Sequence, residues 1–189
     1  MNRIVLVLLV AGLAGNAHAN KTERWYTYWG LGYADITYPG DLDDAMDALA
    51  DLPGVDHVSI ALDGLGFYVP QGDQRMVGLI ANCFGDRYDV GDDWIQADGY
   101  LLSLSAMHFT RRIGQGPFLR ADGGLAWYVL DTSWGLDDTS DRGYGFLVGG
   151  GFAFPVADGT RILLNANYAV RHVEGENTKT LGISVGGLF

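Results

Sequence analysis

Residues 179–189 read Lys-Thr-Leu-Gly-Ile-Ser-Val-Gly-Gly-Leu-Phe. Successive side chains of an extended chain point to opposite faces, so Leu181, Ile183, Val185 and Phe189 share one face and Thr180, Gly182, Ser184 and Gly186 the other. The same two-residue alternation recurs in about eight segments separated by turn signals. A sheet with one apolar and one small or polar face must keep the apolar side from water, inside a soluble barrel or against lipid outside a membrane barrel.

The segments run over residues 24–36, 57–69, 75–84, 94–109, 118–130, 144–155, 162–171 and 180–189. In the first, Trp25, Tyr26, Tyr28, Trp29 and Tyr33 put aromatics on both faces, so its outward side stays undecided. In the second, Val58, Ile60, Leu62 and Tyr68 oppose Ser59, Ala61 and Asp63. Val77, Leu79, Ala81 and Cys83 then oppose Gly78 and Asn82, and Tyr100, Leu102 and Leu104 oppose Ser103 and Ser105. Leu119, Ala121, Leu125, Trp127 and Val129 oppose Arg120, Asp122, Gly124 and Ala126. Tyr144, Phe146, Val148, Phe152 and Phe154 oppose glycine and alanine, and Ile162, Leu164, Ala166, Tyr168 and Val170 oppose Asn165, Asn167 and Arg171.

One stretch breaks the period. Residues 41–52 place Leu42, Ala45, Met46, Leu49 and Leu52 on one face of a helix, with Asp41 as N-cap, acids in the first turn and Pro53-Gly54 as the stop. This short amphipathic helix in the first long connection reads either as a lid or partner-binding element, or as a helix laid across the barrel mouth or rim.

Turns after the second, fourth and sixth segments are short. The connections after the first, third and fifth are long and acidic, including residues 85–93 and 131–142. That asymmetry, with an apolar face edged by Trp127, Tyr144, Phe154 and Tyr168, is the pattern of a transmembrane β-barrel with short periplasmic turns and long outer loops. A soluble barrel of eight strands would turn the same faces inside out.

The N-terminus bears on the choice. Arg3, the apolar run 4–14 and Ala17-His18-Ala19 read as a secretory signal peptide cut before Asn20, against the alternative of a membrane helix, which needs about 20 apolar residues. Residues 1–19 hold one of the chain's 12 Lys and Arg and no acid, so residues 20–189 carry 23 acids against 11 bases, a net charge of -12. Such acidity argues against a nucleic-acid partner. Cys83 is the single cysteine, which leaves no internal disulfide and a thiol best read as a small apolar side chain.

The Trp25-Tyr26 start followed by Gly30 and Gly32, with the closing stretch 181–189, resembles the small eight-stranded outer-membrane barrels, such as the transmembrane domain of outer membrane protein A and its stand-alone relatives. Gly187 departs from the pattern, because many relatives carry an aromatic or bulky apolar residue two before the last, and no peptidoglycan-binding domain follows. The resemblance implies an all-β, eight-stranded antiparallel up-and-down transmembrane barrel over residues 20–189, monomeric, in the outer membrane. Its implied partners are outer-membrane lipid, lipopolysaccharide and the barrel-assembly machinery, which would read Phe189 as an assembly signal. It also implies a non-enzymatic structural or surface-interacting role with no cofactor and no metal. Some small barrels are lipid A deacylases or acyltransferases, so a lipid-modifying enzyme is the alternative, and a narrow pore a third.

If the polar face lines the interior, Asp63, Arg120, Asp122 and Arg171 point inward with Asn82, Asn165 and Asn167. An eight-stranded interior has room for side chains rather than a channel, and charges there need opposite partners. These four residues are therefore expected to form an ion-paired plug, with Asp63 slightly preferred over Asp122 as the partner of Arg120. Ser103, Ser105, His57, His108 and His172 invite a hydrolase reading, but His108 falls on the opposite face from both serines and no local acyl-transfer motif accompanies them. The acidic connections carry Asp41, Asp43, Asp44, Asp47, Asp86, Asp89, Asp92, Asp93, Asp137, Asp138 and Asp141. Their default is a solvated surface, with a weak calcium or magnesium site as the sharper alternative.

Overall fold

The alternating segments become strands of 12 to 17 residues, longer than the 9 to 11 or so that cross a bilayer. The structure, a computed structural model, describes residues 23–157 and 159–189; the expected signal peptide, 1–19, lies outside the described residues. Its elements are β1 (Tyr26–Thr37), α1 (Asp41–Ala50), β2 (Val55–Pro70), β3 (Arg75–Val90), β4 (Asp93–Phe109), β5 (Gly116–Thr132), β6 (Asp137–Thr139), β7 (Gly143–Ala157), β8 (Thr160–Val173) and β9 (Glu176–Leu188). Chain neighbours pair antiparallel, β4 with β5 and β5 with β7, and β1 pairs with β9, so eight strands close into a barrel. The short β6 lies against the upper end of β5.

Turns 71–74 and 110–115 mark the lower end, where β7 also gives way to β8, and connections 38–54, 91–92, 133–142 and 174–175 the upper. The acidic stretch 85–93 is not the loop that its composition predicted. β3 and β4 continue through it to a two-residue turn at Gly91-Asp92, because Phe84, Asp86 and Tyr88 keep the inward parity of Asn82 and find buried partners.

The undecided faces of β1 resolve cleanly: Tyr26, Tyr28 and Ala34 are buried in the interior, whereas Leu31 and Tyr33 are exposed on the outside. On β2 the parity changes along the strand. A bulge between Leu62 and Leu65 turns both Asp63 and Gly64 inward, so that below it Tyr68 is inside and Leu65 and Phe67 outside. Tyr68, grouped by simple alternation with the apolar outer face, is in fact fully buried. Gly64 is required there: its φ is +84°, and a Cβ would lie 2.5 Å from the carbonyl oxygen of Ala81.

The lower half of the interior is an apolar layer containing Tyr26, Tyr68, Met76, Ile80, Met107, Phe109, Phe118, Leu163 and Leu188. A smaller cluster of Leu101, Ala126, Leu147, Ala169 and Val173 sits in the upper half. α1 departs from expectation at its start. Gly40, at φ 57°, holds the cap position and Asp41 is the first helical residue; and no residue of the helix is fully buried, Met46, Leu49 and Ala50 on its inner side being half-buried.

Candidate functional site

The polar interior is built around Arg120. Its neighbours on the paired strands include Gly149 on β7, which leaves the guanidinium room to cross the lumen. Nη1 donates to Asp63 Oδ1 at 2.7 Å, and Nη2 to Asp122 Oδ2 at 2.6 Å and Asn82 Oδ1 at 2.8 Å. Nε donates to both Asp122 oxygens, at 3.1 and 3.0 Å. Arg120, Asp63 and Asp122 are each at most 5% exposed, a degree of burial at which an unpaired charge would be very costly.

Asp63 is the more richly held of the two acids. Its Oδ2 accepts from the Tyr28 hydroxyl at 2.7 Å, the Ser184 hydroxyl at 2.8 Å and Asn167 Nδ2 at 3.0 Å, whereas Asp122 has Asn82 Nδ2 at 3.2 Å beyond Arg120. Asn165 Nδ2 extends the network to Tyr28 and Ser184. Six strands, β1, β2, β3, β5, β8 and β9, thus converge on one carboxylate-guanidinium group. The bulge in β2 aims Asp63 at its centre.

Arg171 is not brought to this cluster. It sits four residues above Asn167 on β8, about 13 Å along the strand at strand rise, and makes no ion pair with Asp63 or Asp122. Its Nη1 donates to Thr180 Oγ1 at 3.1 Å, its guanidinium lies 5.0 Å from the Phe84 ring centroid, and Nε has no partner among the described residues. A cavity of about 30 Å³ separates the two levels, bordered by Asp63, Asn82, Asn167, Arg171, Thr180 and Ser184. That is room for about one water molecule.

A second group lies at the upper rim, unforeseen because Asp86 reads as a loop acid. Its buried carboxylate accepts from the Tyr38 hydroxyl at 2.8 Å, the Tyr88 hydroxyl at 2.9 Å and the Ser59 hydroxyl at 2.5 Å, and pairs with His57 Nε2 at 2.7 Å. His57 also stacks on Tyr88, with centroids 4.3 Å apart. Burial, then the Asp86 charge, push the Tyr38 phenol far above its ordinary value. Reading strand parity through to Tyr88 would have found Asp86. Tyr38 opens the connection to α1, and its backbone N–H donates to Asp43 Oδ1 at 2.7 Å, so Asp86 fastens the long loop to the barrel. Asp86→Ala is expected to raise amide exchange over residues 38–54 roughly tenfold, the loss of one or two charge-assisted bonds; unchanged protection would sink this latch.

The serines and histidines do not assemble a relay. Ser103 donates to the Ile80 carbonyl at 3.4 Å and Ser105 bonds the Tyr68 hydroxyl at 2.8 Å, both inside, while His108 lies outside. At the rim, Ser59 and Asp86 both address His57 Nε2, at 3.2 and 2.7 Å. A catalytic relay needs the acid on Nδ1, so that Nε2 is left to take the nucleophile's proton.

The two faces define a class: a small closed barrel whose outside is apolar and whose interior holds a buried ion-paired polar group between apolar layers. Neisserial surface protein A has this fold, with a TM-score of 0.62 and 15% identity over 88% of this chain and 96% of that one. Ail of Yersinia pestis (TM-score 0.49, 14% identity, 88% and 100% covered) and the N-terminal barrel of OprF from Pseudomonas aeruginosa (0.47, 14%, 89% and 100%) are also similar. No family model and no curated protein matches the sequence. The chain therefore has the fold of the small eight-stranded outer-membrane barrels.

Proposed function

We propose that this chain is a monomeric barrel of the bacterial outer membrane, reached after removal of residues 1–19, and that it acts without catalysis as a structural or surface-interacting protein through its acidic upper loops. One observation carries the reading. Leu65, Phe67, Leu79, Leu104, Leu119, Phe146, Val148, Leu164 and Ile183 stand exposed in a belt that spans several strands. A soluble protein rarely shows an apolar patch beyond a few hundred Å², and a closed barrel satisfies its backbone in lipid. The acid-rich end with the long connections faces outward in this reading, beside lipopolysaccharide.

The filled lumen supports a plug over a pore. The Arg120 network occupies the middle and the apolar layer around Met76, Phe109 and Leu188 closes the lower end. Fractionation combined with heat-modifiable gel mobility tests the reading, and recovery as a soluble protein with unchanged mobility would overturn it. Steady conductance in planar bilayers would favour the pore, and deacylation or acyl transfer on lipopolysaccharide the lipid-modifying enzyme.

Phe189 is proposed as the element that the assembly machinery reads. It exchanges two backbone hydrogen bonds with Thr27, both 3.0 Å, and its ring stacks on Trp29 at 6.4 Å, whereas Leu188 is fully buried in the lower core. The two residues should separate by assay. Phe189→Ala, or deletion of Phe189, should reduce assembled protein in cells more than Leu188→Ala does. Leu188→Ala should cost more in vitro stability, by about 2 to 5 kcal/mol for an emptied core site. Equal cellular assembly of all three variants would remove the recognition role.

A further inference from the structure

The lower end carries an amphipathic surface that the plugged-barrel reading does not use. Arg75, Arg111 and Arg112 stand exposed around turns 71–74 and 110–115. They border a groove of about 670 Å³ together with Gln71, Gln74, Gln115 and, as the single acid among the described residues, Asp73. Among the described residues none of the three guanidinium groups is in an ion pair. Such a cationic cluster is notable in a chain of net charge -11.

The groove continues onto the outer wall. Gln71 and Arg75 also border a second groove, of about 640 Å³, whose floor is mostly apolar. Its shape follows from register. Val77 pairs with Ala106, Ala106 with Ala121, and Ala121 with Val148, so one row of outward side chains crosses β3, β4, β5 and β7. The two central members are alanines, while Leu79 and Leu104 above them and Leu119 below are 58%, 71% and 69% exposed. Small residues between taller rows leave a trough, and it opens at its lower end on Arg75 and His108.

We infer that this joined surface binds one anionic glycerophospholipid of the periplasmic leaflet, its phosphate on Arg75, Arg111 and Arg112 and an acyl chain along the Ala106–Ala121 trough. A phosphate oxygen pair matches the planar guanidinium fork. Three cations against Asp73 favour a headgroup with net negative charge over a zwitterionic one, whose ammonium would meet the same arginines. The glutamine amides suit ester and glycerol oxygens. Lipid A has similar chemistry, but its leaflet borders the acidic upper end, so the site commits to phospholipid. The inference rests on the membrane-barrel reading for its orientation.

The test uses the folded chain in detergent, with lipid adducts counted by native mass spectrometry after adding phosphatidylglycerol, phosphatidylcholine of the same chains, or lipid A. Phosphatidylglycerol should be retained on the order of tenfold better than phosphatidylcholine, given the attraction of each basic residue to an anionic headgroup. The preference should vanish in the double variant R111Q/R112Q, whose heat-modifiable mobility shows that it still folds. Ala121→Phe, which fills the trough, should lower retention of both phospholipids. Equal retention of the two phospholipids by the unaltered chain, an unchanged preference in R111Q/R112Q, or stronger retention of lipid A would overturn the inference. Failure of the cellular fractionation would instead count against the location, since the adduct measurement does not depend on it.

Discussion

Arg120→Ala is expected to destabilise the folded barrel in detergent by about 3 to 5 kcal/mol, read as a fall in denaturant midpoint, because it leaves two buried carboxylates facing each other. The surroundings of the two acids predict which second change relieves the loss. Without Arg120, Asp63 keeps three neutral donors, Tyr28, Ser184 and Asn167, whereas Asp122 keeps Asn82. Removing Asp122 as well takes away the poorly held charge; removing Asp63 instead strands its donors and leaves Asp122 exposed to the penalty. Arg120→Ala with Asp122→Ala should therefore recover more stability than Arg120→Ala with Asp63→Ala. Strict additivity in both double-mutant cycles would mean that the ion pairs are not coupled, and a hydrated path would then describe the lumen better than a plug.

Leu164→Arg is expected to impair folding into lipid bilayers by about 2 to 4 kcal/mol, the cost of a cation on the lipid face at the midplane. Leu164 points outward from the middle of β8, between Phe152 and Val185 on the paired strands, and is half exposed. Val90→Arg is the control. It sits at the tip of the β3–β4 hairpin, above the apolar belt, where the same charge costs about 1 kcal/mol or less. Folding yield and stability in vesicles measure both. If Leu164→Arg were harmless and improved recovery in plain buffer, the apolar belt would be facing something other than lipid.

Much of the architecture was legible in residue order alone. Alternation marks every strand of the ring, because the pleat makes side-chain direction a matter of counting, and it placed Arg120, Asp122, Asn82, Asn165 and Asn167 on the inner face. Counting is a local rule, and it failed where the sheet imposed something non-local. The bulge at Asp63-Gly64 shifts β2 by one residue and puts Tyr68 inside, since only register with β1 and β3 decides how many residues a strand spends between two points. The two-faced aromatic pattern of β1 acquired a direction only when β9 closed against it. Asp86 looked like a solvated loop acid because its partners Tyr38, His57 and Ser59 lie 27 to 48 residues away. Arg171 shares the inner face of Arg120 but not its height, because residue parity determines the side of a strand while strand stagger determines the level, and stagger exists only in the closed barrel.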